Sequence, residues 1–152
     1  MQFKLLRVIG VVAAVAASLA VVSAGSAAPG ARVGPVTASA SKYGKVLFDG
    51  RGRSLYVFAR DRGAKSRCYG ACAKAWPPLL TSSKAMAHAG AGAHQGLIGT
   101  TRRRDGKLQV TYAGHPLYGF SKDTKRGQIT CQNVANFGGK WWVVTAAGKV
   151  VR

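Results

Sequence analysis

The chain has 152 residues, with 23 Lys and Arg against 4 Asp and Glu and a formal net charge of +19. That length suits one domain of ordinary size. All four acids are aspartates (Asp49, Asp61, Asp105 and Asp123), which excludes Glu-based acid catalysis and Ca²⁺ loops of the EF-hand type and leaves few carboxylates for a two-carboxylate mechanism.

The chain opens on the pattern of an export leader over residues 1–28. Lys4 and Arg7 precede the 15-residue apolar run Val8 to Val22, and small residues follow through Ala28. The run is short for a membrane-spanning helix. No Cys lies near the exit, so no lipid anchor is expected. Residues 29–42 are rich in Ala, Gly, Ser and Val and read as a flexible linker. A β domain is expected over 43–152. Within it, repeat one covers about 43–80, a connector 81–96 and repeat two about 97–152.

Lys45 to Phe48 is strand-like, Asp49-Gly50-Arg51-Gly52 is a turn, and Arg53 to Ala59 is a second strand. A basic Cys loop follows from Arg60 to Gly70. A short helical turn over 71–75 is stopped by Trp76-Pro77-Pro78. After the Ala- and Gly-rich connector, Leu97 to Arg103 and Leu108 to Tyr112 form a hairpin around Asp105-Gly106. Pro116 to Phe120 is a further strand, and a Gly-rich loop leads to the strand Trp141 to Thr145. Ala147-Gly148 then turns the chain into Lys149 to Arg152. No long 3.6-residue period occurs, so the fold class is mainly β.

The sequence is internally duplicated. Val46-Leu47-Phe48-Asp49-Gly50 matches Val110-Thr111-Tyr112-Ala113-Gly114, and Leu55 to Asp61 matches Leu117 to Asp123, with a turn two residues shorter in the second copy. Cys68 and Trp76 follow the first motif, and Cys131 and Trp141 the second. Aromatic pairs Phe48/Tyr112, Tyr56/Tyr118, Phe58/Phe120 and Trp76/Trp141 fall at matched places, which predicts two antiparallel hairpin units packed on a shared core.

Two copies of Tyr-x-Phe-x-x-Asp, the block from Cys68 to Leu79 and the final Gly138 to Val144 resemble bacterial secreted-repeat proteins, predicted lipoproteins of unknown function with a conserved Tyr-x-aromatic-x-x-Asp motif. The resemblance runs from about Tyr43 to the end of the chain. It implies export and fold and carries no activity. Two features depart from it: the lipoprotein Cys is missing, and Cys131 stands where a small or polar residue is expected.

The candidate site residues are Tyr56, Phe58, Asp61, Tyr118, Phe120 and Asp123. The aspartates either cap turns or meet near a pseudo-two-fold axis around a cation. The aromatics either pack in the core or form an exposed platform for a ligand, and a buried Tyr hydroxyl would need a motif Asp of either copy. Export predicts a disulfide among Cys68, Cys72 and Cys131, with Cys68–Cys72 the default and pairing of Cys131 with either as the alternative. His88, His94 and His115 are weak metal-ligand candidates beside these thiols, because the spacing is not a zinc pattern. No cofactor and no catalytic set is expected.

Arg51, Arg53, Arg60, Arg62, Lys65, Arg67, Arg102, Arg103 and Arg104 form the candidate basic patch. Its expected partners are anionic envelope polymers or lipid head groups rather than nucleic acid, since no nucleic-acid module is present. Together these features predict a non-enzymatic exported binding or structural module. The alternative is a redox or metal-handling protein that uses the Cys loop.

Overall fold

The computed structural model describes residues 34–152. The expected leader and the start of the expected linker lie outside them. The described residues form strands β1 (Thr37–Ser41), β2 (Gly44–Phe48), β3 (Tyr56–Phe58), β4 (Leu80–Thr81), β5 (Ile98–Arg102), β6 (Leu108–Tyr112), β7 (His115–Pro116), β8 (Val134–Asn136) and β9 (Gly139–Val143). Helix α1 spans Ala71–Ala75, and a 3-10 turn spans Gln95–Leu97. All strand pairs are antiparallel: β1 with β2, β3–β9–β8 in one sheet, and β4–β6–β5 with β7 beside β6 in another.

Alternation along each strand feeds two cores on opposite faces. Leu47, Leu55, Val57, Leu117 and Val144 enter an aliphatic core. Their neighbours Val46, Tyr56, Phe58, Tyr118 and Val143 enter an aromatic one. β3 is therefore buried along its whole length.

The aromatic core is built about an approximate two-fold axis. Trp76 and Trp141 stack with centroids 3.9 Å apart and planes 2° from parallel. Tyr56 meets Trp76 edge-on at 5.3 Å, and Tyr118 meets Trp141 edge-on at 5.2 Å. Phe58 stacks on Trp141 at 4.2 Å, while Phe120 packs tilted on Trp76 at 4.5 Å. Each Tyr thus meets its own copy's Trp and each Phe the other copy's. Such pairs contribute about 0.5–1.5 kcal/mol each beyond the area they bury.

The backbone is interleaved in the same sense. Tyr56 pairs with Val143 of the second copy, and Tyr118 pairs with Pro78 of the first. The end of each repeat lies against the inner strand of the other: Leu47 N donates to Val144 O at 3.0 Å, and Val110 N donates to Leu79 O at 2.8 Å. Leu55 N donates to Leu47 O and Leu117 N to Val110 O, so Leu47 is the counterpart of Val110. The sequence match of Val46 with Val110 is therefore one residue out of register. Phe48 and Tyr112 are not equivalents: Phe48 lies in the aromatic core and Tyr112 in the aliphatic one. A one-residue slip exchanges the faces of a strand, which is why the aligned letters mislead.

Two further expectations are corrected. The linker does not extend to Lys42: Val36 and Ala38 are buried and Thr37–Ser41 is a strand, because small alternating side chains let β1 lie close on the core. The 81–96 connector docks beside this segment. Val36 N donates to His88 O and Gly90 N to Val36 O, with Ala87 buried beneath. The first hairpin parts early. After Phe48 bridges Ser54, β3 leaves β2 for β9 and Tyr118.

The turns follow their chemistry. Asp49 Oδ1 accepts the N–H groups of Arg51 and Arg53, both at 2.9 Å, and Gly52 supplies φ 78°. Ser54 Oγ donates to Gln128 O across the copies.

Because the copies share every core layer, the domain unfolds in one transition. Trp141→Ala lowers the denaturant-measured stability by about 3–5 kcal/mol, and Trp141→Phe, which keeps a stacking partner for Trp76, by clearly less. Separate transitions for the two repeats would refute the interleaving.

Candidate functional site

Tyr56 and Tyr118 stand side by side where the copies meet. Tyr56 N donates to Tyr118 O at 2.7 Å, and Tyr118 N donates back to Tyr56 O at 2.9 Å. Their hydroxyls cross to the opposite motif. Tyr56 Oη donates to Asp123 Oδ2 at 2.5 Å, and Tyr118 Oη donates to Asp61 Oδ2 at 2.8 Å. A buried hydroxyl needs such an acceptor. Desolvation and the facing carboxylates push both phenols well above the usual Tyr range, so each stays a neutral donor.

The two aspartates keep separate company. Asp123, fully buried, also accepts Thr130 Oγ1 at 2.5 Å. Asp61, half-buried, accepts the Arg67 N–H at 2.8 Å. Tyr118 and Arg67 hold one carboxylate, Tyr56 and Thr130 the other, and no donor is shared. Of the motif aromatics, Tyr56, Tyr118 and Phe58 are buried and Phe120 is half-buried. They form core rather than an exposed platform.

Asp61 belongs to a longer chain of polar groups. Arg103 Nη1 donates to Ser66 Oγ at 2.8 Å, Ser66 and Tyr118 hydroxyls lie 2.7 Å apart, and Tyr118 donates to Asp61. With Asp61 as acceptor, Tyr118 has one proton to give, so Ser66 donates to Tyr118. Arg103 is 3 % exposed and also donates to Gln109 Oε1 at 2.7 Å, Cys68 O at 2.8 Å and Asp105 Oδ2 at 3.3 Å. It ties the Cys loop to the β5–β6 hairpin. Ser66, Gln109, Thr130 and the structural role of Arg103 escaped the sequence reading. In an Arg102-Arg103-Arg104 run, nothing in the letters says which guanidinium turns inward.

Cys68 and Cys72 form a disulfide across the start of α1, with Cα atoms 5.2 Å apart. Cys131, at the place matching Cys68, is free and buried, and burial raises its thiol above the usual range. A raised thiol holds little thiolate, the reactive form. His88 and His94 are exposed and His115 half-buried in β7. Among the described residues no group of three or more His, Cys or Asp side chains is placed to hold a metal ion.

The basic residues divide. Arg53 bonds Asp49 at 3.0 Å, and the Arg51 carbonyl accepts from Arg126. Arg62 lies exposed in a turn with Lys65. Arg60, Lys65 and Arg67 of the Cys loop face Arg102, Arg103 and Arg104 around one open groove of about 640 Å³, completed by Ser66 and Tyr69. Tyr69 carries the Arg104 guanidinium 3.9 Å from its ring centroid and that of Arg103 at 4.4 Å. Its hydroxyl accepts the Arg104 N–H at 3.1 Å.

Duplicated strands that close each other's tyrosines define an interlocked β-repeat protein. A family model described as a secreted repeat of unknown function matches residues 37–80 and 99–145, one match per copy, and the chain belongs to that family. It is thus an exported protein of a family without an assigned activity, as its motifs implied. No curated protein and no solved structure matches the chain. No helix among the described residues is long and apolar enough to cross a membrane.

Desolvation lifts the Asp61 carboxyl from 3.8 to about 6, against the Arg67 N–H, the Tyr118 hydroxyl and the charges of Arg103 and Arg67, which pull it down. Between these values the folded protein binds more protons than the unfolded chain. The contribution of Asp61 to stability is therefore fully present below pH 3.8 and is lost as the pH rises through about 6. Unfolding of wild type and Asp61→Asn across pH 3 to 8 should show this decline in wild type and a flatter profile in the variant. Carbon NMR should place the Asp61 midpoint near 6.

Proposed function

We propose that the protein is a non-enzymatic binding module of the cell envelope, held there by attraction between its basic exterior and anionic polymers or head groups. One observation carries the reading: all four acids are engaged by the fold's own turns and hydroxyls. Asp61 and Asp123 accept tyrosines, while Asp49 and Asp105 close turns and take the only two ion pairs among the described residues, with Arg53 and Arg103. The remaining described Lys and Arg have no carboxylate within ion-pair distance, and a surface of one sign attracts a polyanion over several ångströms.

The redox or metal-handling alternative draws less support. Its two loop thiols are joined, and the third is buried and poorly ionised. Among the described residues no histidine ring hydrogen-bonds a hydroxyl, thiol or carboxylate; His88 Nδ1 meets the Met86 carbonyl. The function proposed is retention and presentation rather than turnover.

Exposed charge pairs weaken with screening, so retention must follow ionic strength. Binding of the mature protein to purified cell-envelope material should fall at least tenfold between 50 mM and 500 mM salt, measured by sedimentation of the bound fraction. Binding unchanged by salt would overturn charge-based retention.

A further inference from the structure

We infer that the groove between the Cys loop and the β5–β6 hairpin is a built site for a linear phosphate polymer, whose backbone phosphates are gripped by Arg67, Arg102 and Arg104. This rests on the envelope-binding reading above and gives it a place and a ligand chemistry.

The groove differs from a merely solvated basic surface in being pre-organised. Arg103 lies beneath it with its guanidinium committed to four hydrogen bonds, so it fixes the floor and leaves little for a ligand. Arg104 is laid over the Tyr69 ring and its backbone is held by the Tyr69 hydroxyl. A guanidinium held over a ring has lost much of its freedom already, and the Arg104 side-chain N–H groups have no hydrogen-bond partner among the described residues. Arg102 is anchored through Nη1 to Gly106 O at 2.8 Å, and the disulfide fixes the loop that carries Arg67. The nearest carboxylates are engaged, Asp105 by Arg103 and Asp61 by Tyr118 and the Arg67 N–H. Exposed cations are thus set around a cavity whose nearest acids are already engaged by the fold.

Ligand class follows from the donors. The cations come from two facing segments, so their N–H groups converge from different directions. A carboxylate accepts in one plane, whereas the tetrahedral phosphate accepts outside any single plane and suits several guanidiniums at once. Several cations along one groove match a chain of single charges better than one multiply charged small molecule. A volume of about 640 Å³ is that of an ordinary ligand cleft and holds a short chain segment. No aliphatic or Phe side chain lines the groove, so it has nothing to insert among acyl chains. Tyr69 already carries two guanidiniums, which leaves no free aromatic platform for stacked bases.

The test uses the mature protein and four probes: inorganic polyphosphate, poly(glycerol phosphate), poly-γ-glutamate of matched charge, and phosphatidylglycerol vesicles. It compares wild type, Arg67→Gln/Arg104→Gln, and the distal control Lys122→Gln/Lys149→Gln, which removes the same charge from exposed positions outside the groove. All four substituted side chains are exposed, so unchanged thermal unfolding establishes that the fold is intact. The expected result is that the groove variant loses at least tenfold in affinity for a phosphate polymer. Its slope of log affinity against log salt should also shrink by about one or two, since each lost phosphate contact releases one counterion fewer. The control should change affinity less than threefold. The two phosphate polymers separate a mineral chain from a polyol-phosphate chain as the source.

Equal loss in both variants would overturn the groove while leaving charge-based retention standing. Equal affinity for poly-γ-glutamate would overturn the phosphate chemistry, and tightest binding to vesicles would assign the site to a membrane instead. Failure to bind any of the four probes would overturn both the groove and the envelope-binding reading.

Discussion

A tyrosine hydroxyl inside an aromatic core must find an acceptor, and in this fold neither repeat supplies its own. Tyr56 finds Asp123 and Tyr118 finds Asp61. Leaving such a donor unmet costs about 1–3 kcal/mol, so each copy is completed by the other. The remaining architecture follows from this crossing. The tyrosine backbones pair with one another, the tryptophans stack between them, and the end of each repeat lies along the inner strand of its partner. A short two-stranded unit is marginal in water. Two such units that exchange strands and acceptors make one domain with a core on each face of its strands.

The same economy explains the exterior. With four acids in the chain, two are consumed by the tyrosine crossing and two by turns. No carboxylate remains to balance the surface. Among the described bases only Arg103 is buried, and it fastens the Cys loop to the second hairpin through Ser66, Gln109 and the Cys68 carbonyl. In doing so it brings the cations of both segments to one groove. The polar chain Arg103–Ser66–Tyr118–Asp61 joins that groove to the centre of the fold, so the site and the scaffold share residues.

Much of this was legible in the sequence. The two motif copies, the β class, the Asp-Gly turns, the helical turn before Trp76 and the default disulfide can each be read from local residues, since each depends on local chemistry. The crossing was half legible: a buried tyrosine called for an aspartate, but sequence order cannot say whether Asp61 or Asp123 stands opposite Tyr56. The register of the outer strands was misread because Val46 and Val110 match as letters, whereas hydrogen bonds equate Leu47 with Val110. β1 was hidden by its small residues, which resemble a linker until Val36 and Ala38 are seen in the core. β8 was hidden because Val134–Asn136 is short, exposed and followed by glycines. For the groove, the basic runs were visible, and what placed Arg60, Lys65 and Arg67 opposite Arg102 to Arg104 was tertiary.

The central claim is that the copies are tied across rather than within themselves. A pair of double-mutant cycles in equilibrium unfolding tests it most directly: Tyr56→Phe with Asp123→Asn, and Tyr56→Phe with Asp61→Asn. The account predicts a coupling of about 1–3 kcal/mol for Tyr56 with Asp123, a hydrogen bond to a charged group, and less than about 0.5 kcal/mol for Tyr56 with Asp61. Additive behaviour of Tyr56 and Asp123, or an equally strong coupling of Tyr56 to the aspartate of its own copy, would contradict it.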